Sequence, residues 1–190
     1  MLFCASCTVK NCGRPIGQEG SYPGRCPSLD PALPEILERY QDPEDRLMAR
    51  QSAVTSPDHS ECRLLKTIRF AKYCGFQRLG LAFCVTLQDE AAQVDKILRE
   101  AGFQVSSIIC KVGHYSRQEV LGAGGSCNAM CNPIAQAELL NREKTQFNIV
   151  LGLCVGHDSL FIKHSEAPVT VLAAKDHVYE NAPLEYLKTL

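Results

Sequence analysis

Between residues 79 and 174, short unbroken apolar runs alternate with amphipathic helical segments. The runs at 79–85, 103–112, 147–153 and 169–174 read as strands. They are apolar at consecutive positions rather than at every second one, as expected of strands covered on both faces. Between them, 88–101 carries Val94, Ile97, Leu98 and Ala101 on one face and closes at Gly102. Segment 133–143 opens with Asn132 as cap and Pro133 at the first helical position, and 157–164 reads as a short helix. Strand, helix, strand, repeated, requires right-handed crossovers and a parallel sheet. The expected fold is α/β: three layers, a mostly parallel sheet of about four strands with flanking helices, and a cysteine-rich metal knuckle at the N-terminal end.

Upstream, Asp42-Pro43-Glu44 predicts a helix running through Leu47, Met48 and Val54 to a stop at Ser56-Pro57. Asp58-His59-Ser60-Glu61 resembles a capping box and predicts a second helix. Its stripe would be Leu64, Leu65, Ile68 and Ala71, with Gly75 as its end. A short helix is expected near 184–187. Segment 113–132 shows no clear element, and a loop of that length in a compact domain is usually functional or a misread element.

Residues 1–34 differ from the rest. They hold Cys4, Cys7, Cys12 and Cys26, four glycines and five prolines, and no hydrophobic periodicity. Such a segment cannot bury a core and needs another source of folding energy. The division expected is therefore a cysteine-rich metal-binding segment over 1–34 and an α/β domain over 35–190. The spacing C-x2-C-x4-C-x13-C suits a four-sulfur tetrahedral site, with zinc or an iron–sulfur cluster as the cofactor.

The chain has eleven cysteines and no tryptophan. The first residues carry no basic stretch followed by an apolar run, and no apolar run reaches about 18 residues anywhere. The expectation is a cytoplasmic protein that does not enter a membrane, in which thiols stay reduced and clustered cysteines act as metal ligands or reactive groups. Twenty basic against twenty-one acidic residues build no phosphate-neutralising face, so nucleic acid is not an expected partner. The partners expected are a metal ion and a small-molecule or redox partner.

A second group follows from the strand assignments. Ligands bind beyond the carboxyl ends of the strands in an open parallel sheet. Cys84, Cys110 and Cys154 fall near such ends, and Cys127 and Cys131 lie in the loop before the Asn132 cap. Cys110, Cys131 and Cys154 are read as a shared cofactor-binding site that would leave one metal position open. Cys131 and Cys154 precede helices, where the dipole favours thiolates. Cys62, Cys74 and Cys84 read as ordinary interior residues. Gly152-Leu153-Cys154-Val155-Gly156 has the form of a nucleophile elbow, with His157, His164 or His177 as candidate bases. Cys154 and His157 are thus the catalytic candidates. The run Gly122-Ala123-Gly124-Gly125 lacks the strand–turn–helix context of a dinucleotide fingerprint and reads as loop.

Cys131-Asn132-Pro133-Ile134-Ala135-Gln136-Ala137, Gly152–Phe161, Ala167-Pro168-Val169-Thr170 and Lys175-Asp176-His177-Val178 together carry a resemblance. The chain resembles a family of uncharacterised prokaryotic metal-binding proteins, common in archaea and anaerobic bacteria, and its cysteine-rich start is similar to theirs. The resemblance covers nearly the whole chain and implies metal binding without implying a reaction. Three functions remain open at this level: a metalloprotein with one or two thiolate sites, a metal-independent cysteine enzyme centred on Cys154, and a small-ligand-binding module with structural zinc.

Overall fold

The apolar runs form a four-stranded parallel sheet in a computed structural model that describes residues 2–18, 20–57, 59–122 and 129–190. In chain order the elements are α1 (Leu33–Glu38), α2 (Pro43–Thr55), α3 (Arg63–Tyr73), β1 (Arg78–Phe83), α4 (Gln88–Glu100), β2 (Gln104–Ile109), α5 (Arg117–Leu121), α6 (Pro133–Arg142), β3 (Phe147–Leu151), α7 (His157–His164) and β4 (Val169–Ala173). Short 3-10 turns punctuate the N-terminal segment, and a longer one spans Pro183–Thr189. The chain divides into two compact units, Met1–Ala53 and Val54–Leu190. No helix among the described residues is long and apolar enough to cross a membrane.

In the second unit the strand order is β2-β1-β3-β4. Alternation across the pleat sends side chains to both faces. Leu79 and Leu81 of β1, with Phe147, Ile149 and Leu151 of β3, meet Ala71 of α3 and Ala91, Val94 and Leu98 of α4. On the opposite face Ala82 and Val150 meet Ala137 and Leu140 of α6 and Phe161 of α7. The result is the three-layer α/β arrangement expected from the continuous apolar runs. Gly80 marks a close approach: a Cβ there would overlap the Asn148 side chain and lie 2.8 Å from Leu140 Cδ1. Asn148 has little room to retreat, because its Oδ1 accepts from Thr145 Oγ1 and its Nδ2 donates to Ser165 Oγ, both at 2.8 Å.

Several local expectations need correction. The helix expected to open at Asp58–Glu61 begins at Arg63, with Cys62 at the cap position and no side-chain cap. Glu61 instead pairs with Arg69 at 3.1 Å, and Asp58 lies outside the described residues. Cys62 is accordingly exposed rather than interior, while Cys74 and Cys84 are buried. Leu65 points outward, leaving Leu64 and Ile68 to pack on the core. Among its described residues, segment 113–132 contains an element that sequence reading misses, α5. It is opened by a capping box in which Ser116 and Glu119 satisfy each other's backbone amides.

Candidate functional site

The sheet positions its thiols through register. Phe83 pairs with Ile109 across β1 and β2 and with Leu151 across β1 and β3, so three strands end level. Cys84 and Cys110 each follow their strand by one residue. Cys110 N–H donates to the Phe83 carbonyl at 2.9 Å, and Cys84 N–H donates to the Leu151 carbonyl at 3.1 Å. The two cysteines therefore sit side by side at the carboxyl edge. The chain passes from β1 to β2 on one side and returns to β3 on the other, so the crevice at this edge lies at the topological switch point.

Further groups converge there. Cys131, just before the Asn132 cap, places its Sγ 3.7 Å from Cys110 Sγ. Asn132 N–H donates to the Cys110 carbonyl at 2.7 Å and binds the two backbones together. Gln136 of α6 donates to the Ile108 carbonyl at 2.9 Å, which holds the start of that helix over the strand ends. Val85 N–H donates to Cys110 Sγ at 3.3 Å. On the other flank Lys175 Nζ donates to Thr86 Oγ1 at 2.6 Å, and Thr86 Oγ1 lies 3.3 Å from Cys84 Sγ. An ammonium only donates, so the Thr86 hydroxyl proton is left for the Cys84 sulfur.

These neighbours drive the thiols apart electrostatically. Burial alone would raise Cys84, but the Thr86 hydroxyl and amide, the Lys175 charge and the Cys110 thiol together hold it below an ordinary cysteine. Cys110 is pushed up to about 12, chiefly by burial and then by the neighbouring Cys131 and Cys84, against the lowering effect of the Val85 amide. Cys154 is also raised, first by burial and then by charge on Cys84 and Cys131. That direction is opposite to the thiolate expected from its place before α7.

Cys154 does sit in a tight strand-to-helix turn, with φ of 63° at Gly152 and 84° at Gly156. Its carbonyl accepts from the His157 and Asp158 amides at 2.9 and 3.1 Å. Among the described residues its thiol forms no hydrogen bond to His157, His164 or His177. Cys127 lies outside the described residues. Of the expected shared set, Cys110 and Cys131 are in contact, and Cys154 lies within electrostatic range of Cys131 and Cys84. Cys84, read as plain interior, belongs to the same group. Thr86 and Lys175 were legible only as positions just beyond strand ends, which by itself marks too many residues.

The N-terminal cysteines belong to the first unit, whose only buried residue among those described is Asn11. The Asn11 amide donates to the Ser21 carbonyl at 2.6 Å and ties two loops together. Cys4 and Cys7 flank a 3-10 turn closed by Cys7 N–H donating to the Cys4 carbonyl at 3.2 Å. Hydrogen bonds from the Lys10 and Val9 amides lower the Cys7 thiol against a smaller opposing effect of burial. Cys12 Sγ lies 3.4 Å from Ser28 Oγ. Cys4, Cys7, Cys12 and Cys26 all line one cavity of about 430 Å³. Among the described residues, no three Cys, His, Asp or Glu side chains are grouped so that they could hold a metal ion.

The family model described as "Protein of unknown function (DUF1847)" matches residues 26–172. That span takes in Cys26 and the edge thiols Cys84, Cys110, Cys131 and Cys154. A protein of Methanocaldococcus jannaschii, described as "Uncharacterized protein MJ0455", is 37% identical over 182 residues, covering 93% of this chain and 89% of the relative. No solved structure gives a significant match.

Proposed function

The chain belongs to that family of unknown function, and from that premise we propose that it is a metal-binding protein whose Cys4, Cys7, Cys12 and Cys26 hold one metal centre. The observation that carries this reading is the shared cavity. Four thiols from a segment with no apolar core line one space, and the residues after the C-x2-C turn direct the Val9 and Lys10 amides at Cys7. Thiolates are the ligands of structural zinc and of iron–sulfur clusters, and amide hydrogen bonds to sulfur stabilise the deprotonated ligand. Zinc is the first choice, since a single knuckle with one set of four thiolates makes a closed structural site. The ion would supply the folding energy that the segment cannot draw from hydrophobic burial. A reducing cytoplasmic setting fits this chemistry, because the ligands must remain thiols until metal arrives.

Anaerobic purification followed by metal analysis and an ultraviolet–visible spectrum tests the proposal. The expected result is a colourless protein with about one zinc per chain, lost from the Cys4→Ser/Cys7→Ser double variant. Iron with sulfide in a brown protein would keep the site and assign a cluster to it. A chain that retains no metal, or retains it undiminished in the double variant, overturns the reading.

A further inference from the structure

The carboxyl-edge thiols serve a different chemistry. We propose that Cys110 and Cys131 form a redox-active dithiol that exchanges with small-molecule disulfides, Cys131 as the attacking thiol and Cys110 as the resolving one. The proposal is independent of the N-terminal metal centre, since it involves other residues in the other unit.

The geometry has three parts. The two sulfurs are already in contact at 3.7 Å, against a covalent length of about 2.05 Å. The backbones are held in place for the bond, because Asn132 N–H donates to the Cys110 carbonyl at 2.7 Å. Access is unequal: Cys110 is 3% exposed, whereas Cys131 is partly open to solvent. A dithiol exchanger needs this asymmetry, with one thiol that meets the substrate and one that waits behind it. The site also sits at the switch-point crevice, where an open parallel sheet admits a small ligand.

The reaction balances with one named oxidant. Cys131 thiolate attacks one sulfur of a substrate R–S–S–R. A mixed disulfide forms between Cys131 and R–S, and the other sulfur leaves as R–S⁻ and takes up a proton. Cys110 then attacks Cys131 Sγ, and its proton passes to the second R–S⁻ as that sulfur is expelled, so no free Cys110 thiolate is formed. Two protein thiols become one disulfide, and one substrate disulfide becomes two thiols. A dithiol reductant reverses the sequence. Cys84, beside Cys110 and hydrogen-bonded to Thr86, is the competing partner that the test must distinguish.

The test uses the full chain, reduced and then freed of reductant without air, and equilibrated with graded ratios of oxidised to reduced glutathione. Alkylation, tryptic digestion and mass spectrometry read the product. Cys131 and Cys127 share a tryptic peptide, so fragmentation is needed to separate them. The expected result is a reversible Cys110–Cys131 link. In the Cys110→Ser variant the glutathione adduct on Cys131 accumulates instead of turning over, and in Cys131→Ser the link is lost. The wild-type map needs no variant to fold. The proposal is overturned if no such link forms at any ratio, or if Cys110 pairs with Cys84 instead. It is also overturned if the adduct settles on Cys154, or if a bound metal ion shields Cys110 and Cys131 from exchange. Loss of metal from the N-terminal cysteines with exchange intact would count against the metal reading alone.

Discussion

Cys84 and Cys110 occupy equivalent places one residue beyond adjacent strands, yet their protons behave in opposite ways. Cys84 has the Thr86 hydroxyl at its sulfur with the Lys175 cation behind that hydroxyl, while Cys110 has one amide and two other thiols. Charge on Cys110 would be buried among groups that cannot offset it, so its thiol stays protonated until about pH 12. The consequence for stability has a definite sign. Above the ordinary cysteine value of about 8.5 the unfolded chain releases this proton while the folded chain keeps it. Stability from this group is complete below about pH 8.5 and is lost as pH rises toward about 12, by up to about 1.4 kcal/mol per pH unit. Urea unfolding in excess reductant at rising pH should show that slope, and Cys110→Ala should flatten it. An unchanged slope in the variant would mean that the alkaline sensitivity lies elsewhere.

At the scale of elements, β1 and α6 are the parts on which the site depends. β1 runs between β2 and β3, and its Gly80 lets α6 and the Asn148 side chain approach. Gly80→Ala should destabilise the protein by about 2 kcal/mol, the usual scale of overpacking in a core whose neighbours are hydrogen-bonded in place. A denaturant titration measures it, and the second unit's transition should shift. Gly24→Ala, with no atom within 4 Å of its Cβ and no left-handed backbone, should leave the curve where it was. Most of these elements were readable from the chain. Asn132-Pro133 announced α6, and the Asn132 side chain does accept from the Ala135 amide at 3.0 Å. The run 157–164 became α7 with the same bounds. Two of the misreadings share one cause. Glu61 and α5 were decided by which partner a short polar side chain finds: Glu61 took Arg69 rather than a helix cap, and Ser116 took Glu119. Cap chemistry is local and degenerate, so several residues in a row offer it and only the surroundings choose.

For the whole molecule, the two units depend on different forces. Among the described residues the second carries all of the buried apolar ones, on both faces of its sheet. The first has exposed apolar side chains, such as Ile16 and Leu37, and four thiols around a cavity. The proposed metal centre therefore predicts that removing the ion affects one unit and spares the other. Limited proteolysis with and without a strong chelator reads this directly: cleavage within 1–34 should accelerate at least tenfold on chelation, while 54–190 stays resistant. Equal resistance in both conditions would show that the first unit holds together without an ion.

By itself the amino-acid sequence determined the class of fold, because continuous apolar runs alternating with helical periods can be buried only as a covered parallel sheet. It also brought out the N-terminal group of thiols, because those cysteines lie close together along the chain. Tertiary structure decided the membership of the second group. Whether Cys84 faces Cys110, and whether Lys175 reaches Thr86 from beyond β4, depends on strand order and register. Those come from long-range pairing, and a shift of one residue would have sent each side chain to the other face of the sheet.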